Sequence, residues 1–218
     1  MRTSFLFAIL TGFSLSFAYP PFNLGFLAYW GLIPFFYLLE RKVTLGAAFR
    51  WGYLTGFFIV IGGANALALD NIVGLLFACL LCPLYYALYA ALHVFARQKL
   101  GPRFVVLIPF LWVGIEILKG LNQFGFGDLA LGFTHPQHLM LFSESSHWSV
   151  FLVSFWICCL NTMIYVTLNS LGHRRKIAYL LVATVLMMIL PLSCGYRSIE
   201  IPDAFDQFVE SHPTICSS

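Results

Sequence analysis

Two charges stand where charges are costly. In residues 112–133, WVGIEILKGLNQFGFGDLALGF, Glu116 and Lys119 sit in or at the end of an apolar run and Asp128 follows. Ionisable side chains in such a run need partners and mark functional positions. Residues three apart on a helix share a face, so Glu116 and Lys119 can act together. Two readings stand open. One is an ion pair anchoring the helix end, with Lys119 snorkelling to the interface and Glu116 a turn deeper. The other is a polar wall facing a substrate cavity.

Other reactive side chains carry less. His135 and His138 stand three apart, with Glu144 and His147 beyond. Metal sites use such residues, but Pro136 interrupts the run and no regular ligand spacing completes it, so no metal and no cofactor is expected. Cys79 and Cys82 form CxxC inside FACLLCPLYY. Redox and zinc motifs need polar, accessible settings, and a buried cysteine acts as a small hydrophobe. There is no Ser-His-Asp order, no glycine-rich phosphate loop and no basic patch suited to nucleic acid.

The elements that must hold these residues are membrane helices. Of 218 residues, 60% are hydrophobic and 10% charged, against about 25% charged in soluble domains. The expected fold is an all-α integral membrane protein. A crossing needs about 20 apolar residues, and seven segments qualify: 4–19, 22–39, 47–69, 72–96, 104–118, 148–168 and 177–194. Residues 1–18 also overlap a signal-peptide pattern, but the Pro20-Pro21 turn and a second apolar run favour a short first span. Residues 1–195 then form one membrane domain and 196–218 a short, poorly ordered extracytoplasmic tail.

Charge placement supports the count. Arg2, Arg41, Lys42, Arg50, Arg97, Lys99, Arg103, Arg174, Arg175 and Lys176 fall on one side, and only Lys119 and Arg197 on the other. The positive-inside rule places the N-terminus in the cytoplasm and the C-terminus outside. The outer connection 119–147 mixes polar, glycine and apolar residues, so it is expected to be re-entrant or interfacial. Gly52 and Gly56 form GxxxG, which allows close helix approach. Asn65 and Asn161 are expected to hydrogen-bond between helices.

Several segments together resemble one family. LSFAYPPFNLGFLAYWGLIPFFYLL is similar to the opening hairpin of apolipoprotein N-acyltransferases of bacterial inner membranes, and GAAFRWGYLTGFFIVIGGAN to their glycine-rich third helix. PFLWVGIEILKG matches the family's W-x-x-x-E-x-L-R/K at Trp112, Glu116 and Lys119. The family's F-P-W-x-x-x-G-Y becomes Phe126 through Phe133, with Gly127 and Asp128 in place of proline and tryptophan and Gly132 kept. WSVFLVSFWICCLN keeps Ser154, Phe155 and Asn161 of G-x-x-G-x-S-F-x-x-x-x-x-N, while Ser149 and Leu152 replace both glycines.

The resemblance implies a seven-helix membrane domain that leads, in the family, into a nitrilase-like domain outside. That domain transfers an acyl chain from phospholipid to a diacylated lipoprotein through a cysteine thioester. Its Glu/Lys/Cys motif matches nothing in these 218 residues, so no catalytic residue is assigned here, and a truncated or split enzyme, inactive alone, is the expectation. The implied partners are membrane phospholipid, diacylated lipoprotein and a separate nitrilase-like chain. Trp112, Glu116, Lys119, Phe126, Asp128 and Gly132 are the candidate lining of a substrate cavity. The alternatives are a non-catalytic membrane protein that binds lipid or a partner, and a small transporter. The transporter is disfavoured because neither paired broken helices nor midplane charges are evident.

Overall fold

The structure, a computed structural model, describes residues 2–41, 44–63, 72–121, 126–135, 148–170 and 174–195. These are helical throughout, with no strand among them. The α-helices are α1 (Arg2–Ala18), α2 (Ile33–Glu40), α3 (Leu45–Gly62), α4 (Ile72–Leu100), α5 (Ile108–Gly120), α6 (Trp148–Asn169) and α7 (Arg174–Gly195). Each overlaps one of the seven apolar segments, although α2, of eight residues, fills less than half of its own. The stretches Leu45–Gly62, Ile72–Gly120 and Val150–Asn169 are long and apolar enough to cross a membrane, and Thr3–Ala18, Gly25–Glu40 and Ile177–Ile189 are shorter apolar helices. The tail 196–218, Asn65, and His138, Glu144 and His147 lie outside the described residues.

The helices turn an apolar face outward and bury several polar groups within an otherwise apolar core. On α4, Val73, Leu76, Leu80, Leu84, Leu88, Leu92 and Phe95 are exposed at helical spacing. The opposite stripe buries Cys82, Tyr86, Tyr89 and His93. An exposed apolar face of that extent suits a lipid environment, not water. Polar groups turned to the interior of a bundle are the membrane pattern. The chain is therefore read as a membrane protein.

Close packing of α3 on α4 follows from GxxxG. A Cβ on Gly52 would lie 2.6 Å from the Ala90 Cβ and from the Tyr86 carbonyl oxygen, and one on Gly56 would lie 2.9 Å from the Pro83 Cα. Only hydrogen leaves room for backbones this near. The four cysteines of CxxC and of the Cys158–Cys159 pair are free thiols.

Two segments expected as single spans are broken. The second divides into a 3-10 turn, Gly25–Tyr29, and α2. Pro34 opens α2 and lacks the N–H that would continue the helix backward. Asn161 on α6 compensates. Its Oδ1 accepts from the Leu32 N–H at 3.0 Å, and its Nδ2 donates to the Ala28 carbonyl at 2.7 Å. Backbone groups freed inside a membrane bundle must find such partners. The fifth span likewise starts with a 3-10 segment, Gly101–Leu107, before α5, and Pro109 stands at the first turn of that helix.

Candidate functional site

The C-terminal end of α5 carries the charged pair, and the folded-back connection explains it. The 3-10 turns Phe126–Leu129 and Leu131–Thr134 pack against α5 and α6. The Glu116 Oε1 accepts from the Leu131 N–H at 2.7 Å and from the Trp112 Nε1–H at 2.8 Å. The Lys119 Nζ donates to the Leu129 carbonyl at 2.7 Å and to the Tyr86 hydroxyl at 3.3 Å. The acid thus holds a donor of the connection, and the base holds an acceptor two residues earlier. The hydroxyl of Tyr19, just beyond α1, donates to that same Leu129 carbonyl at 2.8 Å.

Gly132 completes the clasp. Its N–H donates to the buried Ser154 Oγ at 2.8 Å. A Cβ there would collide with the Val150 carbonyl oxygen, so only glycine lets the turn sit against α6. Side chains of α5 and α6, with Tyr19 just beyond α1, therefore hold the backbone of Leu129, Leu131 and Gly132, and Tyr86 of α4 backs Lys119. Buried backbone N–H and C=O groups need partners, and these contacts supply them.

One expectation changes. Lys119 does not snorkel outward: it is 1% exposed, and Glu116 2%. The connection folds over the helix end, and its carbonyl replaces water as the ammonium's partner. Trp112, Phe126 and Gly132 are buried beside the pair, whereas Asp128 is exposed. Five of the six candidate residues thus come together and Asp128 stands apart. The void lined by Tyr86, Tyr89, Trp112, Glu116 and Lys119 is about 10 Å³, about the space one water requires. In this conformation the pair binds backbone, and the void beside it among the described residues is too small for a lipid.

His135 is buried, with its Nδ1 2.7 Å from the Thr134 hydroxyl and its ring 4.7 Å from that of Tyr29. No cluster of three metal-ligating side chains occurs among the described residues.

Three partners escaped the sequence reading. Tyr19 is one. Tyr86 and Tyr89 are the others, with rings 5.9 and 4.9 Å from Trp112. Their signal was present: Tyr86, Tyr89, His93 and Arg97 recur at helical spacing opposite the leucine stripe.

Known proteins share this arrangement of segments. Residues 11–163 match the family described as "Apolipoprotein N-acyltransferase N-terminal domain". The chain is 26% identical over 216 residues to an apolipoprotein N-acyltransferase of Geobacter metallireducens, covering 93% of this chain and 41% of that protein. It is 25% identical over 209 residues to the Haemophilus influenzae protein of that name, covering 89% and 38%. For Pasteurella multocida the figures are 24% over 203 residues, 86% and 37%. The chain thus spans about two fifths of the length of the curated relatives it matches. With the matched region running from α1 into α6, the chain belongs to the apolipoprotein N-acyltransferase N-terminal domain family.

Proposed function

We propose that this chain is the membrane domain of an apolipoprotein N-acyltransferase system of the bacterial inner membrane. It crosses seven times, with the N-terminus cytoplasmic and the C-terminus outside, and residues 126–135 form part of a re-entrant outer connection. Its task is to admit phospholipid and diacylated lipoprotein sideways from the outer leaflet and to hold a nitrilase-like domain above them. The acyl chain passes through a thioester on that domain's cysteine, the usual logic of an activated nucleophile. The residues here orient and shield; none takes the acyl group.

The observation that carries this reading is the convergence of the family-pattern residues. Trp112, Glu116 and Lys119 act together on one stretch of outer backbone, Leu129 to Leu131. In the proposal that stretch is the wall of the lipid cavity. Phe126 and Gly132 belong to the wall, and Asp128 faces away from its buried side. The clasp keeps the wall rigid while bulky amphiphiles pass.

The test is complementation. In a strain depleted of its own enzyme, the mass of a lipoprotein N-terminal peptide reports N-acylation. The 218 residues alone are expected to give none. The same residues followed by a relative's nitrilase-like domain are expected to restore it. A stable, membrane-inserted chimera that restores nothing would refute the assignment.

A further inference from the structure

At the opposite end of the bundle, the ends of α2, α4 and α6 and the segment Gly101–Leu107 enclose a cleft of about 870 Å³. That volume is in the range of ligand sites, about 300–1,000 Å³. Its rim is polar: Arg41, Arg97, Gln98, Asn169 and Ser170. Its floor is apolar, with Val94, Phe104 and Val166. Glu40 is the lining acid, so two arginines against one carboxylate leave the cleft positive.

Both guanidinium groups are held in place. The Arg97 Nε pairs with the Glu40 Oε2 at 2.8 Å, and its Nη1 donates to the Leu39 and Arg41 carbonyls, each at 3.2 Å. Arg41 donates through Nη1 to the Thr3 hydroxyl at 2.9 Å and lies 4.9 Å from the Phe7 ring centroid. A guanidinium carries five donors, so these contacts leave donors over on both. Fixed forks are the geometry that binds a phosphate oxygen pair.

We propose that this cleft binds the headgroup and glycerol of an anionic phospholipid of the cytoplasmic leaflet, with the phosphate at Arg41 and Arg97. Rim and floor together match an amphiphile whose polar part is negative. The leaflet rests on the topology proposed above; the site itself does not. It lies on the face away from the Glu116–Lys119 clasp, so its occupant is a bound lipid distinct from the acyl donor.

Native mass spectrometry of the purified chain in detergent tests it, with phosphatidylglycerol and phosphatidylcholine of matched acyl chains as probes. The unaltered chain is expected to favour phosphatidylglycerol by about tenfold, the scale of one charge-assisted contact. Arg41→Gln is expected to reduce that preference to below about threefold. Ser170→Trp, which fills the cleft, is expected to abolish the bound lipid. Should it fail to fold, the exposed-rim change Gln98→Glu takes its place and must lower phosphatidylglycerol binding. Arg50→Gln, a basic residue of α3 outside the cleft, is expected to change nothing. No preference in the unaltered chain, or an equal loss from Arg50→Gln, would overturn the site. Topology is read separately by labelling a Gln98→Cys variant, free of native cysteines, with an impermeant thiol reagent in intact cells. Labelling from outside would overturn the leaflet and leave the lipid preference in detergent to stand or fall alone.

Discussion

The two ends of the bundle handle charge in opposite ways. At one end Glu40 and Arg97 face each other at 2.8 Å, with side chains 23% and 31% exposed. At the other, Glu116 and Lys119 are almost fully buried and turn to the backbone of the connection. The first is a surface ion pair closing a joint between helices. The second is a clasp in which each charge replaces a missing backbone partner. An acid and a base close in sequence therefore do not define a role; what each holds does. Surface pairs contribute little because water competes for them, whereas a buried charged group that loses its partner is costly.

That contrast can be broken most sharply at Glu116. Glu116→Ala leaves the Leu131 N–H and the Trp112 indole N–H buried without an acceptor and Lys119 without a nearby carboxylate. The expected loss is about 3–5 kcal/mol of stability, the scale for breaking a buried charged interaction. Thermal unfolding of the detergent-solubilised chain measures it. In the chimera described above, N-acylation is expected to fall with it. A loss under about 1 kcal/mol, the surface-pair scale, would place the buried pair in the same class as Glu40 and Arg97.

The helices were legible because hydropathy is local. Seven apolar segments and the placement of ten basic residues follow from the order of residues. The GxxxG contact was legible for the same reason, since both glycines lie on one helix face. The break before α2 was not, because its supporting residue, Asn161, is 129 positions from Leu32. A polar residue in a span announces that it needs a partner without saying which. Lys119 shows the same limit. Snorkelling is the reasonable expectation for a lysine at a helix end, and it fails because the carbonyl of Leu129, invisible in any residue pattern, takes the ammonium's hydrogen bond at 2.7 Å.

Gly132 comes next in size. Gly132→Ala drives a methyl into the Val150 backbone, and backbone cannot yield as a flexible side chain can. About 1–3 kcal/mol is expected from the overpacking. Ser154→Ala tests the same contact from the other side without steric change. It leaves the Gly132 N–H buried and unaccepted, at a cost of about 1–3 kcal/mol. Each is read in the same unfolding assay. If the double variant loses no more than Gly132→Ala alone, the two act through one contact, as a clasp requires.

The smallest effect is expected at the Glu40–Arg97 pair. Glu40→Gln removes a charge whose partner keeps two other bonds, from the Arg97 Nη1 to the Leu39 and Arg41 carbonyls. The helix joint therefore survives the loss of the ion pair. Both side chains also reach solvent, so water replaces part of what is lost. His93, 3.7 Å from the Glu40 Oε1, retains its contact with the Tyr89 hydroxyl at 3.2 Å. The expected change is about 0–1 kcal/mol, and it should shrink further in high salt, which screens exposed charges within a few ångströms. The loss at Glu116 should be nearly indifferent to salt, because ions do not reach a buried carboxylate. Equal salt sensitivity at the two ends would mean that water reaches the Glu116–Lys119 clasp as readily as the Glu40–Arg97 pair, and that the connection does not seal it.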